Sequence, residues 1–134
     1  MAIDFGTKRV GVAVTDSLRI IASGLTTVPN KEIYTFLKTY LEQETVEIIV
    51  VGHPQRSNGK ASPIQNLIDK FVATIKKQHP TIQVTTFNEQ FTSLRAKEAI
   101  FKSGAKKKKR RNKALVDTIS AAIILQDYME ENFW

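Results

Sequence analysis

Residues 1–16 read MAIDFGTKRVGVAVTD, and the pattern of these residues indicates the fold class. Two apolar runs, around Ile3 and from Val10 to Val14, are separated by the turn-forming residues GTKR. This spacing predicts a β-hairpin. Asp4 lies inside the first predicted strand, where β-propensity disfavours aspartate and burial of an unpaired charge is costly. A purely structural role is therefore unusual for this carboxylate.

After the hairpin, the pattern changes from strands to alternating helices and strands. We expect strands over residues 19–28, 46–52 and 81–87 and a helix over 31–44. Further helices should begin at Ser62 with Pro63 in the first turn, at Thr92 or Ser93, and near Asn112. Three strands followed by helix–strand alternation predict an α/β fold, with a mixed sheet covered by helices. Residues 1–134 should form a single domain.

The positive charge of the chain is concentrated in one place. Of its 20 Lys and Arg residues, seven fall within residues 106–113, and the other 13 equal the number of Asp and Glu residues. These seven are Lys106, Lys107, Lys108, Lys109, Arg110, Arg111 and Lys113. We name them the basic run. Such a local cluster predicts a polyphosphate partner, although six consecutive cations can also imitate a nuclear import signal.

Composition restricts the environment of the protein. The sequence contains no cysteine, which excludes disulfides and thiolate metal sites and favours a reducing compartment. Its apolar runs are far shorter than a membrane span, and we see no secretory signal. We therefore expect a cytoplasmic protein with no membrane association.

Three acidic residues occupy positions that suggest chemistry. Asp4 lies in a strand, Glu89 follows a strand end where α/β sheets commonly bind ligands, and Asp117 begins the inward face of the last helix. Asp117 shares that face with Ser120, Ala121 and Ile124. If the fold brings the three acids together, their oxygens suit Mg²⁺, and two such ions can promote phosphodiester hydrolysis. The basic run would then bind the flanking phosphates.

Four blocks of the sequence resemble the signature blocks of the YqgF family of ribonuclease H-like proteins in order and spacing. They are AIDFGTKRVGVAVTD, VVGHPQRSNG, NEQFTS and LVDTISAAIILQDY, and the resemblance covers nearly the whole chain. It implies a ribonuclease H-like fold, with a five-stranded mixed sheet whose first strands are antiparallel. It also implies that Asp4, Glu89 and Asp117 are the catalytic acids. Members are described as Holliday-junction resolvases and as nucleases that mature pre-16S ribosomal RNA.

The sequence therefore predicts a metal-dependent endonuclease that uses Mg²⁺ or Mn²⁺. Its partner should be structured RNA or branched DNA, and the resemblance alone favours maturation of the 5′ end of pre-16S RNA over resolution of four-way DNA. We expect a monomer or a weak homodimer. A catalytically silent nucleic-acid-binding module is an alternative. So is nucleotide hydrolysis, because DFGTKRVGVA also looks like the phosphate loop of actin-like ATPases.

Simpler roles compete at several positions. Asp4 could bond the amides of the following turn, Glu89 could be a surface acid, and Asp117 could interact with the helix dipole. Asp16 could be a fourth ligand but is expected to be a turn residue, and Asp127 is expected to face solvent. His53 could be a general base but is more often a plain loop histidine. The aromatic residues are expected in the core.

Overall fold

The computed structural model describes residues 1–54, 62–89, 92–104 and 112–133, with only the backbone described at 89, 92 and 93. Its strands are β1 (Ala2–Phe5), β2 (Arg9–Thr15), β3 (Ala22–Pro29), β4 (Ile48–Pro54) and β5 (Gln83–Glu89). Its α-helices are α1 (Ile33–Gln43), α2 (Pro63–Gln78), α3 (Thr92–Lys102) and α4 (Lys113–Asn132), and a 3₁₀ turn (Asn30–Glu32) precedes α1. No helix in these ranges is long and apolar enough to span a membrane.

The five strands form one mixed sheet in the order β3-β2-β1-β4-β5. Strand β2 is antiparallel to both β1 and β3, whereas β4 is parallel to β1 and β5. The predicted hairpin is thus present, and Asp4 on β1 is paired with Gly11 on β2. The predicted α/β fold, with its five-stranded mixed sheet and flanking helices, is confirmed.

Side-chain alternation along the strands gives the sheet two different faces. On one face, large residues such as Ile3, Val12 and Val51 pack with α1 and α2 in the main core. On the other face, Ala2 and Ala13 pack with α4. Small side chains on this second face let α4 lie close to the sheet. Because Asp4 follows Ile3 in the alternation, it belongs to the α4 face.

Two helix starts confirm the capping chemistry predicted from the sequence. Ser62 and Gln65 form a reciprocal capping box, in which the Ser62 amide donates to Gln65 Oε1 at 2.7 Å and the Gln65 amide to Ser62 Oγ at 3.4 Å. At the start of α4, Asn112 Oδ1 accepts a hydrogen bond from the Leu115 amide at 3.2 Å. Local capping chemistry therefore sets where both helices begin.

Strands β4 and β5 extend further than the sequence pattern indicated. They pair residue by residue from Ile48 and Gln83 as far as Pro54 and Glu89. The prediction that Glu89 follows the strand is therefore wrong, because Glu89 is the last residue of β5. His53 likewise belongs to β4 and not to a loop. Backbone pairing between neighbouring strands continues here through residues whose types favour loops.

Candidate active site

The pKa of Asp4, on β1, departs far from the ordinary value of an aspartate. Asp4 is only partly accessible to solvent on the α4 face of β1. Burial and, to a smaller extent, the negative charge of Asp117 together raise the pKa of the Asp4 carboxyl to about 7. The effect of the Asp117 charge on this pKa indicates that the fold brings the two acids near each other, although they lie far apart in the sequence.

Glycines on the sheet position Asp117. A side chain at Gly11 would overlap the backbone carbonyl of Asp117, and one at Gly24 would overlap the Thr118 side chain. Without these side chains, the first turns of α4 lie directly on β2 and β3. Since Gly11 is also paired with Asp4, this close helix–sheet contact places both acids over the same part of the sheet.

A hydroxyl network also fixes the start of α4. The Thr27 hydroxyl on β3 donates to the Ala114 carbonyl at 2.7 Å and contacts the hydroxyl of Thr118. The Thr118 hydroxyl bonds the same carbonyl at 3.0 Å. The residue that follows Asp117 is therefore tied to the neighbouring strand, which restricts movement of the carboxylate.

Arg9 is a site residue that the sequence analysis missed. Its Nε lies 2.8 Å from Asp117 Oδ2, in an ion pair that joins β2 to α4. Arg9 shares the α4 face with Gly11 because the two are separated by one residue in the strand. Strand alternation could have placed Arg9 on this face, but its partner lies 108 residues away.

The other predicted site residues lie partly or wholly outside the described structure. The Glu89 backbone ends β5 beside Pro54 of β4, and its side chain is not described. In the basic run, Lys106 to Arg111 fall outside the described residues. Lys113 is described as an exposed residue in the first turn of α4.

Asp4 and Asp117 supply the hard oxygen donors that Mg²⁺ and Mn²⁺ prefer. Within the described side chains there is no group of three His, Cys, Asp or Glu residues that could hold a metal. The two acids nevertheless fit a divalent cation, because their repulsion at a half-buried site is relieved by a positive charge. Arg9 already supplies part of this compensation to Asp117.

Asp16, the possible fourth ligand, has a structural role. It is a turn residue as expected, and its Oδ1 accepts hydrogen bonds from the amides of Ile20 at 2.7 Å and Ile21 at 2.9 Å. These bonds lower the pKa of the Asp16 carboxyl.

Asp127 faces solvent only in part, because its side chain is paired at the surface. Its carboxylate accepts two hydrogen bonds from Arg95, at 2.7 and 3.3 Å, and so joins α4 to α3. His53 points away from the α4 face, with its Nε2 at 3.3 Å from Asp69 of α2. Neither residue contributes to the Asp4–Asp117 site.

Comparison with known proteins identifies the family of the chain. A family model described as "RuvX: Holliday junction resolvase" matches residues 1–131. A Phocaeicola vulgatus protein named "Putative pre-16S rRNA nuclease" is 52% identical over 130 residues, which cover 97% of this chain and 94% of that protein. Proteins of the same name from Bacteroides fragilis and Flavobacterium psychrophilum are 48% and 46% identical, and the matches cover 97% and 96% of this chain and 94% of each relative.

Proposed function

Because this chain belongs to the RuvX family, which is ribonuclease H-like, we propose that it is a metal-dependent endonuclease that matures the 5′ end of pre-16S ribosomal RNA. The observation that carries the proposal is the convergence of Asp4 and Asp117 on one face of the sheet. The names of the relatives favour the RNA substrate. The family description favours a second candidate, resolution of four-way DNA junctions.

Asp4, Glu89 and Asp117 would hold the catalytic cation. Support for Glu89 comes from the position of its backbone, at the carboxyl end of β5. This is the edge at which β1, which carries Asp4, also ends. Bound Mg²⁺ or Mn²⁺ supplies an activated water and stabilises the leaving oxygen of the phosphodiester, and a two-metal arrangement suits three acids.

Residues of the chain itself influence ionisation of Asp4, position the acids and bind phosphates. Partial burial disfavours ionisation of Asp4, and a nearby positive charge would favour it. The contact of α4 with Gly11 fixes the distance between the strand acid and the helix acid. The basic run would bind phosphates on either side of the cleaved bond, since clustered cations attract the nucleic-acid backbone.

We further propose that residues 1–134 act as one nuclease domain, as a monomer or a weak homodimer. Cleavage of a single RNA strand requires one active site. Resolution of a symmetric junction requires two cuts, and two copies related by a two-fold axis would supply them. Sedimentation analysis with and without a four-way junction distinguishes these states.

The test is cleavage of a labelled pre-16S RNA and a mobile four-way DNA junction with Mg²⁺, Mn²⁺ or EDTA. Asp4→Asn, Glu89→Gln and Asp117→Asn should each lower cleavage by at least about 100-fold, because even residues that only orient metal ligands contribute about 10- to 100-fold. Glu42→Gln, at an exposed position of α1, is the charge-matched control and should cleave normally. Salt-sensitive binding without cleavage of either substrate would instead show a silent binding module.

A further inference from the structure

Arg9 makes use of only part of its hydrogen-bonding capacity. A guanidinium group carries five N–H donors in a rigid plane. The bond to Asp117 involves Nε, at 2.8 Å from Oδ2. Within the described residues, no other hydrogen bond of this guanidinium is seen. The two terminal amino groups, Nη1 and Nη2, therefore have donors to offer to a ligand.

The side chain of Arg9 is also accessible. It is 35% exposed, compared with 21% for the Asp117 side chain that holds it. Arg9 is the first residue of β2, directly after the turn that follows β1. It therefore lies at the same edge of the sheet as the carboxyl end of β1, beside Asp117.

The negative charge of the two acids favours a cation next to them. Two carboxylates repel a phosphodiester, so a substrate that approaches them needs nearby positive charge. Within the described part of the chain, Arg9 is paired with Asp117, one of these two acids. A partly exposed ion pair contributes little to stability, and stability alone does not account for its location.

We propose that Arg9 binds a phosphate of the nucleic acid through Nη1 and Nη2 while its Nε remains bonded to Asp117. Arginine suits this role because the two terminal amino groups form a planar fork that matches two phosphate oxygens, whereas lysine is a point charge. The bond to Asp117 orients the fork. The inference rests on the proposed nuclease function and adds a substrate contact to the same site.

The test measures binding in EDTA, so it does not depend on cleavage. The affinity for a labelled four-way DNA junction is determined over a range of salt concentrations for wild type and Arg9→Gln. Each phosphate contact contributes about 0.9 to the slope of log affinity against log salt on duplex DNA. Arg9→Gln should therefore reduce the slope by about 0.9. Lys70→Gln, an exposed position on α2 across the sheet, should leave it unchanged.

A second pair of variants separates direct contact from an indirect effect. Loss of Arg9 also exposes the charge of Asp117, which would itself repel DNA. Comparing Asp117→Asn with the double variant Arg9→Gln, Asp117→Asn removes this effect. The same loss of slope in this background supports a phosphate contact, whereas an unchanged slope overturns it. Circular dichroism confirms folding of each variant, and failure of wild type to cleave any substrate would overturn only the proposed function.

Discussion

The backbone of Gly11 on β2 lies directly against the backbone carbonyl of Asp117 on α4, with no space for a side chain between them. Gly11 is also the residue paired with Asp4 across the first two strands. One helix–sheet contact therefore joins the two acids, and the packing of α4 determines the geometry of the site.

Gly11→Ala should consequently affect both stability and catalysis. The added methyl group would overlap the Asp117 carbonyl, and because backbone cannot rotate away, α4 has to shift. Overpacking of this kind costs about 1 to 3 kcal/mol. We expect a lower free energy of unfolding in urea and a large loss of cleavage under conditions where the variant is folded.

Gly24→Ala is the matched comparison for this variant. Its methyl group would meet mainly the side chain of Thr118, with the Thr118 carbonyl oxygen further away at 3.3 Å. A side chain adjusts more easily than backbone, so Gly24→Ala should have the smaller effect on both measurements. Equal stability and activity of Gly11→Ala and wild type would show that α4 is not held at this distance.

Asp4→Asn should stabilise the metal-free protein at high pH. The pKa of Asp4 is raised from 3.8 to about 7, so the folded state binds this proton more tightly than the unfolded chain. Wild type therefore loses stability as pH rises from about 4 to about 7. Each pKa unit corresponds to about 1.4 kcal/mol, and we expect Asp4→Asn to be more stable by up to about 4 kcal/mol at pH 8 in EDTA.

Urea unfolding in EDTA at pH 5 and pH 8 measures this difference. The advantage of Asp4→Asn should shrink towards pH 5, where the wild-type carboxyl is mostly protonated. A difference between the two proteins that does not change with pH would show that Asp4 titrates near its ordinary value.

Burial raises the pKa of Asp4. Mg²⁺ should lower this pKa, because a cation favours the ionised form of Asp4. Thermal unfolding with and without Mg²⁺ should show stabilisation of wild type at pH 8 and much less at pH 5. Asp4→Asn should show little stabilisation at either pH. Equal stabilisation of both proteins at pH 8 would place the cation elsewhere.

Features fixed by local chemistry were predictable from the sequence. The GTKR turn and its apolar flanks identified the first hairpin, and Ser62 and Asn112 marked helix starts that the structure confirms. The position of Asp117 on the inward face of α4 was also predictable from helical periodicity. Burial of Ser120 and Ala121 on the same face agrees with it. These signals span only a few residues.

Features set by distant partners were not predictable. The bond between Arg9 and Asp117 and the pairing of Arg95 with Asp127 depend on how α4 packs against β2 and α3. The extension of β4 to Pro54 depends on its neighbour β5. Helical periodicity reports whether a residue faces inward, but it does not identify the residue opposite.

Ser120→Ala should be neutral or stabilising. The Ser120 hydroxyl is fully buried on the sheet side of α4 and has no hydrogen-bond partner within the described structure. An unsatisfied buried hydroxyl costs about 1 to 3 kcal/mol. Removing it should raise the free energy of unfolding by about 1 kcal/mol without changing cleavage. A loss of cleavage with unchanged stability would show that the hydroxyl acts in the site.

The basic run should supply nucleic-acid affinity and no stability. Replacing Lys106, Lys107 and Lys108 with Gln should weaken junction binding and lower its salt slope by up to about 0.9 for each phosphate that these side chains no longer bind. Removing clustered like charges should not lower the unfolding temperature, because these cations repel one another.

The control replaces Lys70, Lys76 and Lys77, which are exposed on α2 on the other side of the sheet. An equal loss of binding in both triple variants would mean that total charge attracts the nucleic acid, whereas a loss confined to the first would place the phosphate-binding surface next to α4.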